Sequence, residues 1–136
     1  MPAVVTAARL LVVLVACTAA TKAEYTQAAL DDEIMDLPGL NYTLKYRHFS
    51  GYIDIPGIKP NATKHVHYHF IESEDDPTKD PVVWWTNGGP GCSGLLGLFT
   101  EQGPYKPNAE GVLVENAYRW NKVANMLFVE QPGMEG

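Results

Sequence analysis

The hydrophobic pattern changes character several times along the 136 residues. His48-Phe49-Ser50-Gly51-Tyr52-Ile53-Asp54-Ile55 is rich in aromatic and β-branched residues and stops at Pro56-Gly57, so it predicts a strand. Residues 64–71 alternate apolar and polar strictly and predict a second. The linker over 56–63 makes the two an antiparallel hairpin. Pro81-Val82-Val83-Trp84-Trp85-Thr86 and Asn125-Met126-Leu127-Phe128-Val129-Glu130 are short, continuous apolar runs, as expected of strands buried on both faces. Between them, residues 93–100 predict one or two helical turns, followed by a loop over 103–111 punctuated by Gly and Pro. An acidic, helical lead-in over 28–36 precedes the turn Leu37-Pro38-Gly39, where the folded part opens. This order predicts an α/β fold whose mixed sheet has an antiparallel edge hairpin. Such a sheet needs more parallel strands than the chain contains, so the domain is expected to be incomplete.

The first residues are different material. Arg9 is followed by Leu10-Leu11-Val12-Val13-Leu14-Val15-Ala16 and then by small residues up to Ala23, which reads as a secretory signal peptide over 1–23, too short to span a bilayer. Cleavage after Ala20 or Ala23 fits the small-residue rule. Leu14-Val15-Ala16-Cys17 also resembles a bacterial lipobox, which would leave a lipidated Cys17. With the signal removed, Cys92 is alone in the mature chain, and a lone Cys in an oxidising compartment commonly has a partner elsewhere. The sequons Asn41-Tyr42-Thr43 and Asn61-Ala62-Thr63 are candidate N-glycosylation sites that agree with this route. The net charge of -6 argues against a nucleic-acid partner. After signal cleavage no membrane association is expected.

The chemistry concentrates after the first buried strand, in Asn87-Gly88-Gly89-Pro90-Gly91-Cys92-Ser93-Gly94. Glycines there let backbone N–H groups approach a ligand at the carboxyl end of a sheet, where open α/β folds bind substrates. A plain tight turn is the competing reading of such a cluster, and a phosphate loop is disfavoured because no Lys-Ser/Thr pair follows. The longer string Val83-Trp84-Trp85-Thr86-Asn87-Gly88-Gly89-Pro90-Gly91-Cys92-Ser93 closely resembles the signature of the serine carboxypeptidases. Further segments resemble the same family in order, especially its lysosomal and vacuolar members. They are Phe49-Ser50-Gly51-Tyr52-Ile53, His67-Tyr68-His69-Phe70-Ile71-Glu72-Ser73, Leu98-Phe99-Thr100-Glu101-Gln102-Gly103-Pro104, Asn116-Ala117-Tyr118-Arg119-Trp120-Asn121 and Asn125-Met126-Leu127-Phe128-Val129-Glu130-Gln131-Pro132.

The resemblance implies the N-terminal portion of an α/β-hydrolase fold over 24–136 and a serine-type carboxypeptidase acting on peptide or protein C-termini, with no cofactor. Gly89 matches the residue whose amide forms half of the oxyanion hole. Asn87, Gly88 and Glu101 match positions that hold the substrate's free C-terminal carboxylate. Cys92 matches a cysteine that is disulfide-bonded to one far downstream. The resemblance implies a lysosomal, vacuolar or extracellular location.

Several features could mislead. Ser93 lies in Gly91-Cys92-Ser93-Gly94, but Leu95 breaks Gly-x-Ser-x-Gly, and the family's nucleophile, acid and histidine all come later in the chain. His65, His67 and His69 share one strand face and read as a solvent-facing row, not a metal site. Glu72-Ser73-Glu74-Asp75-Asp76-Pro77 reads as a solvated hairpin loop. Gly133-Met134-Glu135-Gly136 departs from the family pattern, so the chain is expected to be truncated before the nucleophile and inactive alone. A carboxypeptidase-like acyltransferase and a noncatalytic binding protein stay open as alternatives. Joint presence of Asn87 and Glu101 leans towards the peptidase.

Overall fold

The computed structural model describes residues 25–89 and 91–130. The predicted signal segment, Cys17 and the terminal residues 131–136 lie outside the described residues. A short helix α1, Gln27–Asp31, is capped by Thr26, whose hydroxyl accepts from the Ala29 N–H at 3.2 Å. Strands β1, His48–Pro56, and β2, Thr63–Ile71, form the expected antiparallel hairpin, register His48 opposite Ile71. Strand β3 is Val82–Trp85, and a π-helical turn over Gly97–Glu101 stands where helical turns are predicted. Strands β4, Tyr105–Pro107, and β5, Leu113–Glu115, then a 3-10 turn Trp120–Lys122 and β6, Asn125–Val129, complete the order.

The main sheet runs β1-β2-β6-β3, with β6 antiparallel to β2 and parallel to β3. It is the mixed sheet with an antiparallel edge hairpin that the sequence predicts. One face carries Ile71, Met126 and Phe128 into a core that Leu98, Tyr105, Leu113 and Ala124 close from the other side. The opposite face is covered only in part. Tyr25 stacks on Phe49 at 5.1 Å between ring centroids, and Asp32 accepts from the Tyr68 hydroxyl at 2.6 Å. Arg47 pins this strap with a bidentate pair to Glu33 and a guanidinium 4.4 Å from the Tyr25 ring centre.

Four expectations need correction. Strand β3 is not buried on both faces: Val82 and Trp84 are each 61% exposed, because among the described residues β6 is its only strand neighbour and nothing covers their face. The segment after β2 is not a solvated hairpin loop, since β2 and β3 both pair with β6 and the connection passes from one side of β6 to the other. Glu72 and Ser73 are accordingly buried, with Glu72 accepting from the Tyr25 hydroxyl and the Arg47 N–H. The histidine row is not uniformly solvent-facing. His65 is exposed beside Asp54, whereas His69 is buried under Tyr105. The loop over 103–111 contains β4, whose pairing with β5 plants Tyr105 in the core.

Candidate functional site

Beyond Trp85 the chain leaves the sheet at the carboxyl end of β3, and the Asn87 side chain is fixed at once. The Trp85 indole N–H donates to Asn87 Oδ1 at 3.0 Å, and the Gly97 backbone N–H donates to the same oxygen at 3.2 Å. An amide oxygen has two lone pairs, so both are occupied and the orientation of the amide is determined. Its nitrogen turns to Glu101 and donates to Oε1 at 3.3 Å. Gly97 makes this possible by close approach, since a Cβ there would run into the Trp85 indole and lie 2.9 Å from Gln102 Nε2.

Glu101 ends the π-helical turn, which closes through the Gln102 N–H donating to the Gly97 carbonyl at 3.1 Å. Asn116, buried behind it, donates from its amide nitrogen to the carbonyls of Glu101 at 2.9 Å and Gly103 at 2.8 Å. The backbone of Glu101 is thus tied down while its side chain stays exposed. Sequence reasoning finds Asn87 and Glu101, and the structure brings them together. It misses Trp85, Gly97 and Asn116 as the groups that hold them. Asn116 opens the family-like segment over 116–121, but no local pattern marks its two acceptors.

Gly88 and Gly89 continue the loop in the open. Gly89 has φ +137°, a region that residues with a Cβ rarely adopt, and a Cβ there would stand 3.1 Å from Cys92 Sγ. Among the described residues no backbone hydrogen bond engages the N–H of Gly88 or Gly89. Two amides without acceptors beside an oriented side-chain amide make a donor cluster suited to carboxylate or oxyanion. Cys92 is exposed and unpaired among the described residues. Ser93 is engaged otherwise than as a nucleophile with a histidine: its hydroxyl donates to Glu130 Oε2 at 2.7 Å and accepts from the Leu95 N–H at 3.1 Å. Among the described residues no group of three or more His, Cys, Asp or Glu side chains is placed to hold a metal ion. Asn41 and Asn61 are both exposed.

Burial perturbs several titrations in the core. Burial drives the His69 imidazole down to about 3, helped by the neighbouring His48 and His67. His48 is lowered as well, mainly by burial, and burial raises the Tyr105 hydroxyl.

Comparison with known proteins identifies the family. The family described as "Serine carboxypeptidase" matches residues 38–136, a span that includes Asn87, Gly88, Gly89, Cys92 and Glu101. The chain belongs to the serine carboxypeptidase family. It is 47% identical to the lysosomal protective protein of Mus musculus over 116 residues, covering 84% of this chain and 23% of that protein. It is 46% identical to serine carboxypeptidase ctsa-3.1 of Caenorhabditis elegans over 102 residues, 74% of this chain and 17% of the relative. Among solved structures it resembles Kex1(delta)p, a prohormone-processing carboxypeptidase from Saccharomyces cerevisiae, with TM-score 0.57 and 27% identity, covering 64% of this chain and 19% of that one. The chain therefore spans less than a quarter of the length of these relatives.

Proposed function

We propose that this chain supplies the part of a serine-type carboxypeptidase that grips the free carboxylate of a peptide C-terminus and offers one oxyanion-hole amide. The carrying observation is the fixed orientation of Asn87. With Oδ1 saturated by Trp85 and Gly97, only the N–H₂ group remains to meet a ligand, beside Glu101 and the Gly88 amide. A terminal carboxylate accepts hydrogen bonds and donates none when ionised, so the Asn87 amide nitrogen and the glycine N–H groups match it, and Glu101 joins them as a donor only when its carboxyl carries a proton. Gly89 N–H then stands in the role of a fixed donor to the oxygen that becomes negative when the scissile carbonyl turns tetrahedral. Pairing of Asn87 with Glu101 favours the peptidase over an acyltransferase, which has no free C-terminus to recognise. The relative named for the lysosome supports a lysosomal, vacuolar or secreted setting. In this reading Cys92 forms a disulfide in the full-length enzyme.

Peptide cleavage needs a nucleophile and a base that residues 25–130 do not assemble, so the chain alone should bind without turning over. Titration of the purified chain with an N-blocked dipeptide, followed by tryptophan fluorescence, tests this. Asn87→Ala removes a hydrogen bond to a charged group, on the order of 1.5–3 kcal/mol, and should weaken binding roughly ten- to a hundredfold. Equal affinity for the same dipeptide with an amidated C-terminus would contradict the proposal. So would release of the C-terminal residue that Ser93→Ala abolishes.

A further inference from the structure

Strands β1 and β2 are longer than the sheet they join. Of the nine residues of β2, Tyr68–Ile71 pair with β6 and the His67 carbonyl accepts from the Glu130 N–H at 3.0 Å, while residues 63–66 pair with β1 alone. At about 3.4 Å per residue those residues extend the hairpin roughly 14 Å past its last bond to the β6 segment. Because β2 is antiparallel to β6, and β6 parallel to β3, this arm projects from the same end of the sheet at which β3 delivers Asn87. The turn at its tip closes through the Gly57 N–H donating to the Ala62 carbonyl at 2.8 Å and the Ala62 N–H donating to the Lys59 carbonyl at 3.1 Å.

Asn61 stands in that turn with φ +62°, a left-handed conformation that Asn tolerates better than most residues. Its side chain is exposed, as are Ala62 and Thr63, and its amide takes part in none of the side-chain hydrogen bonds of the described residues. The contrast with Asn41 is local. Asn41 lies between Leu40, bridged to Leu113, and Tyr42, whose hydroxyl is buried, so its backbone is drawn against the body of the protein. The arm also carries apolar surface without protein cover: Tyr52 is 68% exposed, Ile53 53% and Ile58 87%. An exposed strand edge with such side chains is an association hazard unless something bulky and hydrated shields it.

We propose that Asn61 is an N-linked glycosylation site, and that the glycan projects from the arm tip and shields its isoleucines. In the transfer, Asn61 Nδ2 forms a bond to the anomeric carbon of a lipid-linked oligosaccharyl diphosphate. The anomeric carbon–oxygen bond to the diphosphate breaks, the lipid diphosphate leaves, and one amide proton passes to a base of the transferase. Thr63 supplies the hydroxyl of the sequon.

The test is translation of the full chain with endoplasmic-reticulum microsomes, then peptide N-glycosidase in heavy-oxygen water and mass spectrometry of the peptide containing Asn61. The expected result is a discrete rise in apparent mass on a gel that the glycosidase reverses, with Asn61 converted to a heavy-labelled aspartate. Thr63→Ala should remove one step of that shift, and Thr63→Ser should retain it. This pair separates loss of the sequon from disturbance of the strand. Recovery of the Asn61 peptide wholly unmodified, or failure of the chain to enter the microsomes, would overturn the proposal.

Discussion

Two sides of one sheet are built on opposite terms. On the β2–β6 side, Ile71, Met126 and Phe128 are fully buried. On the β3 side, Val82 and Trp84 are 61% exposed, yet this strand leads directly into Asn87, Gly88 and Gly89. Packing fixes the first side, while on the second only Val83 and Trp85 pack against the core, Trp85 also edge-on to Trp120 at 5.9 Å, and directed hydrogen bonds do the rest. The lesson is that burial and chemistry meet in a single residue, Trp85, which packs against the core and orients Asn87. The loop stays open to a ligand because Val82 and Trp84, on the other face of β3, are uncovered among the described residues.

The comparison breaks if substitutions on the two sides weigh alike. Phe128→Ala opens a cavity in the core and should cost about 3–5 kcal/mol, enough to unfold the chain, whereas Trp84→Ala should cost less than about 1 kcal/mol. Urea denaturation followed by circular dichroism, or amide exchange where the midpoint is low, measures both. Asn116→Ala comes next. It strips the carbonyls of Glu101 and Gly103 of their donor, on the order of 3 kcal/mol if both stay dry. It should also raise amide exchange over 101–103 before the sheet responds, and uniform exchange across the sheet would show that Asn116 acts globally.

A third effect belongs wholly to the packed side. His69 sits at about 3 in the fold against 6.5 when free, so the unfolded chain binds the proton more readily. The stability it permits is complete above pH 6.5 and is lost as pH falls towards 3, on the order of 2 kcal/mol by pH 5. His69→Asn should flatten that part of the pH profile, and an unchanged slope would assign it to His48 or other groups. The smallest effect is expected from Glu33→Gln, which breaks the part-exposed pair with Arg47 and should cost no more than about 1 kcal/mol, less in high salt.

Much of this arrangement is legible in the sequence where period and punctuation are local. The β1–β2 hairpin follows from alternation ended by Pro56-Gly57, and Asn87 and Glu101 follow from the resemblance of the strings around them. Burial is less legible. A run such as Val82-Val83-Trp84-Trp85 says that a strand wants cover on both faces, not whether the cover lies within the described residues. Alternation likewise puts His65, His67 and His69 on one face but cannot tell that Tyr105 closes over only the last of them. The latch at Asn116 depends on chain segments meeting across the π-helical turn, which no window of sequence contains.

The central claim, that an oriented Asn87 beside Glu101 and two unengaged glycine amides recognises a peptide's free C-terminus, can be tested residue by residue. Backbone amide chemical shifts of the isotope-labelled chain would be recorded during titration with an N-blocked dipeptide and, separately, with its C-terminal amide. The account predicts saturable shifts at Gly88, Gly89 and Glu101 with the free acid only, abolished by Asn87→Ala while Ile71 and Phe128 stay still. Shifts of equal size with the amide, or shifts confined to other parts of the sheet, would contradict it.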